Sequence, residues 1–161
     1  MSDLQKIRHR WTNDMIYECE APTLGRAVKR AVRDGVSLHG ADLQYADLWH
    51  ADLGDADLRY TDLRGADLQY ADFQHADLRD AVLDGARLNW TSHDLISETL
   101  WQAADTLGRR MVAAYVGRER GQCWDDFLDQ DHPETEWALR TLAGWVHPDD
   151  QAPPAVMQYV E

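Results

Sequence analysis

The sequence has few cysteines, and this scarcity excludes a disulfide framework. Its two cysteines, Cys19 and Cys123, lie far apart in the chain. They match neither a metal-binding nor a redox spacing. We therefore expect two reduced thiols with a structural role, and we predict no metal site and no cofactor.

Long apolar runs are also missing from the 161 residues. No run approaches the roughly 18 apolar residues of a membrane-spanning helix, and the first residues lack the apolar region of a signal peptide. These absences predict a cytoplasmic protein that does not use a membrane as a partner.

Basic residues are outnumbered, with 16 Lys and Arg against 29 Asp and Glu and a net charge of −13. Residues 1–35 carry +2, whereas residues 36–90 carry −7 and residues 91–161 carry −8. An acidic surface repels phosphate backbones, so we predict no direct binding to nucleic acid.

Familiar catalytic motifs are absent as well. The chain has no glycine-rich phosphate loop, no HExxH or CxxC motif and no nucleophile elbow. Asp131, His132 and Glu134 stand where a helix is expected to begin, and helix capping accounts for them. We predict a protein that is not an enzyme.

What the sequence does have is a five-residue period from Val36 to Trp90, as in "ADLQYADLWHADLGDADLRY" from Ala41. Five residues turn an α-helix by about 500°, so the recurring leucines would not share one helical face. On a strand, an odd period alternates between the two faces. The period therefore predicts a solenoid, in which each coil repeats the same short turns.

The pattern of a small residue, Asp, Leu or Phe and two variable residues resembles the pentapeptide-repeat family. The resemblance implies a right-handed quadrilateral β-helix with four pentapeptides per coil, here about three coils, whose small and central residues point inward. Eleven consecutive units are present, with the central residues Leu38, Leu43, Leu48, Leu53, Leu58, Leu63, Leu68, Phe73, Leu78, Leu83 and Leu88.

The predicted fold is a mainly β solenoid with an N-terminal capping helix and a C-terminal all-α domain. Residues 1–35 form the cap, residues 36–90 the β-helix and residues 91–161 the helical domain. In the cap, "MIYECE" is a candidate strand. A helix with Leu24, Ala27, Val28, Ala31 and Val32 on one face follows, between an N-cap at Thr23 and a C′ glycine at Gly35.

Four helices are predicted in the C-terminal part, and a fifth short one is expected from Pro153. The first follows a cap at Thr91 or Ser92 and carries Leu95, Ile96, Leu100 and Ala103. The next two span residues 108–118 and 122–128, and the fourth runs from a first-turn proline, Pro133, to Val146. Five of the seven tryptophans predict an aromatic core here: Trp90, Trp101, Trp124, Trp137 and Trp145.

Aspartates on the repeats allow two interpretations. In one, each side chain accepts a local backbone N–H bond in a turn. In the other, the carboxylates make an acidic rod that imitates nucleic acid and binds a partner. The partner-binding candidates are Asp42, Asp47, Asp52, Asp55, Asp57, Asp62, Asp67, Asp72, Asp77 and Asp80.

Aromatic residues at the outer positions also allow two interpretations. Tyr45, Trp49, Tyr60 and Tyr70 could form a strip that binds a protein partner, since exposed aromatics are favoured at interfaces. Alternatively, aromatics stack along the rod, with His50, Tyr70 and Trp90 in one column of a four-unit coil. His50 and His75 could approach Asp55 or Asp80, but a convex solenoid wall offers no closed pocket there.

The leading hypothesis is a non-enzymatic, acidic protein-interaction module that mimics nucleic acid and inhibits a DNA-binding protein or complex. Some members of the family that the chain resembles imitate duplex DNA and bind DNA gyrase. A compact groove, as in an immune nuclease complex inhibited by a phage-type anti-CRISPR or antirestriction protein, suits a short rod better. A homodimer is compatible with this hypothesis. The alternative is a structural scaffold or adaptor whose Trp-rich helical tail binds a protein partner.

Overall fold

The computed structural model describes residues 2–118, 132–147 and 149–160. The chain divides into two compact units, Met1–Asn89 and Trp90–Glu161. The helix predicted over residues 122–128 lies outside the described residues, as do Cys123, Trp124 and Asp131. The three-part division of the chain stays a prediction.

The first unit begins with an antiparallel hairpin of β1 (Asp3–Arg8) and β2 (Met15–Ala21). The strand expected at "MIYECE" is therefore present, whereas β1 was not expected. From the last residue of β1 onward, the chain pairs with the first repeats: Asp42 N donates to Arg8 O at 2.8 Å, and Arg10 N donates to Gly40 O at 2.8 Å. The hairpin thus covers backbone groups at an edge of the repeats that would otherwise be open to pairing.

Helix α1 (Leu24–Arg33) lies directly on the repeats. Its expected ends are confirmed, because Thr23 Oγ1 accepts a bond from Arg26 N at 3.3 Å and Gly35 follows the helix with a φ of +72°. A Cβ on Gly25 would lie 1.7 Å from the carbonyl oxygen of Asp47, so only glycine permits this approach. Lys29 Nζ also donates to Trp49 O at 2.7 Å.

The repeats form a β-solenoid held together by isolated bridges instead of long strands. Parallel bridges join residues twenty positions apart, such as Asp42 with Asp62 and Asp52 with Asp72. Twenty residues are four pentapeptides, the coil length that the resemblance implies. Within the described residues, only β1 and β2 form a sheet of regular strands, so the chain has less regular β-structure than expected. The right-handed, three-coil form stays a prediction.

The interior of the solenoid is apolar and closely filled. All eleven central leucine and phenylalanine side chains are at most 4% exposed. Alanines two positions earlier are also buried, apart from the half-buried Ala76. Thr61 takes an alanine position, and its hydroxyl donates to Leu38 O at 3.1 Å, which satisfies a polar group in the core.

The second unit contains α2 (His93–Ala103), α3 (Leu107–Arg118), α4 (Thr135–Ala143) and α5 (Pro154–Met157). Ser92 caps α2 by accepting a bond from Leu95 N at 3.3 Å. The prediction that Pro133 opens a helix is wrong: it lies in a turn closed by Thr135 N and His132 O at 2.9 Å, and α4 starts after it. This helix also ends earlier than expected, at Ala143 before Gly144.

The expected aromatic core of this unit is only partly present. Trp90 is buried, but Trp101 is 47% exposed, and its ring lies 5.8 Å from the guanidinium carbon of Arg110. The cation offers the indole a favourable surface contact, which reduces the cost of leaving it outside. Aliphatic residues supply most of the buried side chains: Leu95, Ile96, Leu100, Val112, Val116, Leu139, Leu142 and Val156.

No helix in the described part of the chain combines the length and apolarity that crossing a bilayer requires.

Candidate protein-interaction surface

Every aspartate that precedes a central leucine or phenylalanine from Asp42 to Asp77 has the same local bond. Its Oδ1 accepts the backbone N–H two residues later, at distances between 2.9 Å for Asp72 and 3.4 Å for Asp42. These are Asx-type turns, in which the side chain takes a backbone donor that the coil leaves unpaired. The structural interpretation of the aspartates is therefore visible at all eight positions: Asp42, Asp47, Asp52, Asp57, Asp62, Asp67, Asp72 and Asp77.

Three of these aspartates are also neutralised by an arginine two residues later. The guanidinium of Arg59 binds both oxygens of Asp57, at 2.8 and 3.0 Å. Arg64 binds Asp62 and Arg79 binds Asp77 in the same two-pronged manner. Such paired bonds are stronger than single ones and fix the geometry of the carboxylate. A fourth arginine, Arg87, lies 3.4 Å from Asp67.

The arginines lower the pKa of their partners. The Arg59 side chain holds the pKa of Asp57 well below its usual range, helped by the Ser37 hydroxyl at 2.7 Å. Arg79 likewise lowers the pKa of Asp77. Burial raises the pKa of Asp62, but the bonds from Arg64 and the charge of Arg10 at 3.7 Å outweigh burial and lower it. These carboxylates are thus charged and locally compensated at neutral pH.

Replacing Arg79 by glutamine is expected to raise the pKa of Asp77 towards its ordinary value of about 3.9. A carboxyl whose pKa is lower in the folded state stabilises the protein above the unfolded pKa, and this stabilisation disappears as the pH falls through the folded pKa. The difference in the free energy of unfolding between the parent and Arg79→Gln should therefore be largest above about pH 4 and should become smaller towards pH 2. Carboxyl-carbon NMR titration and denaturant melts at several pH values measure both effects.

Arg26→Gln is the control for this prediction, because it removes the same charge from an exposed helical position. It should leave the pKa of Asp77 unchanged. An Asp77 pKa that does not move in Arg79→Gln would contradict the role given to the arginine.

On one side of the coil, neither of two bridged aspartates has an arginine partner among the described residues. Asp52 and Asp72 are bridged neighbours on adjacent coils, and both are exposed. The residues two positions later are Gly54 and Gln74. On each of the other sides, at least one aspartate pairs with an arginine, although within the described part of the chain Asp42 and Asp47 do not. Asp55 is exposed at the same corner, and none of these three carboxylates forms an ion pair with a described residue. We call Asp52, Asp55 and Asp72 the arginine-free acidic face.

The last residue of each pentapeptide has a left-handed backbone. From residue 40 to residue 85, every fifth residue has a φ between 50° and 67°. Glycine adopts this conformation freely, whereas a residue with a side chain adopts it at a cost of about 1–2 kcal/mol. Ten residues occupy these corners: Gly40, Tyr45, His50, Asp55, Tyr60, Gly65, Tyr70, His75, Asp80 and Gly85. Asp55 and Asp80 are therefore corner residues, outside the series of turn-capping aspartates.

The four aromatics expected to form one strip lie in three separate places. The ring centroids of Trp49 and Tyr70 are 6.2 Å apart, and His50 stacks on Tyr70 with ring centroids 5.0 Å apart. Tyr60 belongs to another cluster, 6.1 Å from Trp11 and 5.3 Å from His39. No ring contact among the described residues joins Tyr45 or Tyr60 to Trp49 and Tyr70. The expected stacking of His50 on Tyr70 is present, and continuation to Trp90 stays a prediction.

Tyr45 has a different neighbour. A Cβ on Gly65, one coil away, would lie 2.6 Å from the Tyr45 ring, so the ring lies directly over the glycine. The side chain is nevertheless 78% exposed. Tyr45 is thus an aromatic surface held against the coil on one side only.

The sequence model for pentapeptide repeats matches residues 37–69 and 61–92, with eight copies. The chain carries a pentapeptide-repeat domain. No curated protein sequence matches the chain. Pentapeptide-repeat proteins are protein-interaction modules and are generally non-enzymatic. The repeats are therefore the part of the molecule in which a partner-binding surface is to be sought.

Two exposed aromatics border the arginine-free acidic face of the pentapeptide-repeat domain. Tyr70 stands two residues before Asp72, and Trp49 three residues before Asp52. Their side chains are 47% and 48% exposed. An acidic face beside exposed aromatic rings offers a partner both charge and apolar contact.

Two features of the surface were not found from the sequence. His9, Trp11 and His39 extend the cluster around Tyr60, and Lys6 and Arg8 line a groove beside the first pentapeptides. Lys6 and Arg8 belong to β1, and Arg10 lies in the turn after it. Because no strand was predicted there, the groove could not be found from the sequence. Within the described residues, no three His, Cys, Asp or Glu side chains are placed to hold a metal ion.

Proposed function

We propose that this pentapeptide-repeat protein is an acidic interaction module that mimics nucleic acid and inhibits a DNA-binding protein or complex. The arginine-free acidic face, Asp52, Asp55 and Asp72, would occupy the basic groove of the partner. The observation that carries the proposal is the uneven compensation of charge: every other side of the coil pairs at least one of its bridged aspartates with arginine, whereas this side pairs neither.

The spacing of the charges supports the proposal. Residues on adjacent coils are about 4.8 Å apart, so Asp52 and Asp72 place like charges close together along the solenoid axis. Each strand of duplex DNA has a phosphate every 3.4 Å of its axis, which is a spacing of the same order. Lysines and arginines in a DNA-binding groove would meet a similar row of negative charge.

The aromatic border adds a contact that does not depend on charge. Trp49 and Tyr70 are large and partly exposed, and aromatic side chains contribute strongly when an interface covers them. Charge would guide the encounter and make it sensitive to salt, while the rings would slow dissociation. DNA gyrase and an immune nuclease complex are the two partner classes that we propose, and the short solenoid favours the compact groove of the nuclease.

The test compares two double variants with the same change in charge. Asp52→Asn/Asp72→Asn removes two charges from the arginine-free acidic face, whereas Asp57→Asn/Asp77→Asn removes two that arginines already compensate. Asparagine keeps an oxygen that can accept the turn bond, so both variants should fold. We expect the first pair to weaken partner binding about tenfold or more and the second pair to change it little.

Binding is measured by recovery from host lysate on the immobilised protein, with elution in increasing salt and with duplex DNA as competitor. Purified gyrase and an immune nuclease complex are assayed for inhibition in parallel. A recovered DNA-binding protein that duplex DNA displaces, and that the Asp52/Asp72 variant loses, would support mimicry. Equal binding by both variants, or recovery insensitive to salt and DNA, would refute it.

A second candidate function rests on the helical unit. Trp101, Leu107 and Met111 are 47%, 76% and 59% exposed on α2 and α3, which is a large apolar surface for a short segment. In this scaffold or adaptor hypothesis, the helices bind an ordinary protein partner. The full-length variant Trp101→Ser/Met111→Ser should then lose the partner, while the Asp52→Asn/Asp72→Asn variant keeps it.

A further inference from the structure

A groove in the first unit has a charge opposite to that of the rest of the protein. It has a volume of about 440 Å³ and lies between the hairpin and the first pentapeptides. Strand β1 and the residues just after it contribute Lys6, Arg8 and Arg10, and the repeats contribute Asp42, Gln44 and Tyr45 on the other side. Three cationic side chains thus share a concave site with one carboxylate, in a chain whose net charge is −13.

Arg10 is already occupied in this groove. It donates to Tyr60 O at 3.1 Å and lies 3.7 Å from the buried carboxylate of Asp62. Its charge is therefore largely used to compensate Asp62. The binding capacity of the groove must come from the other two cations.

Arg8 and Lys6 have no carboxylate partner within ion-pair distance among the described residues. One nitrogen of Arg8, Nη1, donates to the backbone carbonyl of Asn13 at 2.8 Å, which orients the guanidinium without cancelling its charge. A guanidinium has five N–H donors, so several stay available to a ligand. Lys6 is exposed on the same strand, two residues before Arg8.

The opposite wall is polar and aromatic. Asp42 Oδ1 accepts bonds from the backbone N and the side-chain Nε2 of Gln44, at 3.4 and 3.1 Å, so this carboxylate is held against its own turn. Tyr45 presents an exposed ring beside it. A ligand would therefore meet two free cations on one wall and a fixed polar turn on the other.

We propose that this groove binds a small oxyanion, the phosphate or carboxylate group of a low-molecular-weight ligand, through Arg8 and Lys6. Arg8 supplies the planar donor set that matches two oxygens of such a group, and Lys6 adds a second positive charge. The volume of the groove suits a small ligand. The site is independent of the acidic face described above, so a negative result for one proposal does not affect the other.

The test is an amide NMR titration of the full-length protein with sodium pyrophosphate and, separately, with sodium succinate. Sodium chloride at matched ionic strength is the reference. We expect saturable shifts at Arg8, Asn13, Gln44 and Tyr45 that chloride does not reproduce. Arg8→Gln and Lys6→Gln should each weaken binding about tenfold, the usual loss when a hydrogen bond to a charged group is removed.

Arg26→Gln is the matched control, since it removes one positive charge from an exposed residue of α1 that does not line the groove. It should bind as the parent does. The Lys6 ammonium group forms no hydrogen bond or ion pair with a described residue, so Lys6→Gln tests binding even if Arg8→Gln disturbs the hairpin. Saturation by pyrophosphate alone would identify a phosphate site, and saturation by both anions a general oxyanion site. Shifts equal to those of chloride, or unchanged affinity in Lys6→Gln and Arg8→Gln, would overturn the proposal.

Discussion

Replacing Leu58 by aspartate is expected to abolish soluble folding of the repeats. The Leu58 side chain is fully buried, and twenty-residue spacing places it between Leu38 and Leu78 in the same inward column. An ionised carboxylate there would lie in an apolar interior with no counter-charge, at a cost of several kcal/mol. That cost is comparable with the whole stability of a small domain. Soluble yield, gel filtration and far-UV circular dichroism measure the result.

The control for this prediction is Gln74→Asp, which adds the same charge at an exposed outer position of the repeats. It should express and melt like the parent. Leu58→Ala is a milder variant that should fold with a stability lower by about 2–5 kcal/mol, because it leaves a cavity in the column. A cooperative melt of Leu58→Asp close to that of the parent would contradict an inward position for Leu58.

Much of the solenoid could be predicted because its period is strict. A five-residue repeat excludes ordinary helices and strands, and the eleven central residues that it identifies are all buried. The size of the coil could not be obtained in this way, because a five-residue period fits any number of units per coil. The resemblance supplied four, and the bridges between residues twenty positions apart agree with it.

Strand β1 could not be predicted because only one of its six residues, Ile7, is buried. A strand that covers an edge of the repeats through its backbone needs few apolar side chains, so its sequence lacks the usual alternation. The corner positions carried a clearer signal. Gly40, Gly65 and Gly85 share their place in the repeat with histidine and aspartate, which adopt a left-handed backbone more readily than most residues with a side chain. Tyrosine at the same place gave no such signal.

The sign of the surface charge followed from composition, but its distribution did not. Each two-pronged pair joins an arginine to the aspartate two residues before it, as in Arg59 with Asp57 and Arg79 with Asp77. That spacing was visible in the sequence, but its meaning depends on the turn that brings the two side chains together. The pairing decides which aspartates still present an uncompensated charge to a partner.

The four aromatic residues do not form one strip, and the reason is geometric. Corner residues lie on one column of the solenoid only when their numbers differ by twenty, as for His50 and Tyr70. Tyr45 and Tyr60 differ by fifteen, and Tyr60 and Tyr70 by ten, so these residues belong to different corners of a four-unit coil. Residues at the same position of different pentapeptides therefore do not necessarily lie on the same face of the solenoid.

Gly25→Ala is expected to separate α1 from the repeats and lower the stability of the first unit by about 3 kcal/mol, at the upper end of typical overpacking effects. The new methyl group would lie 1.7 Å from the Asp47 carbonyl oxygen, and a backbone atom cannot move aside as a flexible side chain could. The helix must shift, which weakens the bond from Lys29 to Trp49 O and exposes the apolar side of the helix, where Ala27 and Val28 are buried. Denaturant unfolding followed by circular dichroism measures the loss.

Gly108→Ala is a close control, because Gly108 and Gly25 are each the second residue of a helix. At Gly108 the nearest atoms to a new Cβ belong to the Glu134 side chain at 3.6 Å, which is ordinary contact distance. Alanine favours helix by about 0.5–1 kcal/mol over glycine, so this variant should be neutral or slightly more stable. If Gly25→Ala lowers the free energy of unfolding and Gly108→Ala does not, then close backbone packing, rather than helix propensity, requires Gly25. A Gly25→Ala variant as stable as the parent would show that α1 does not rest on Asp47.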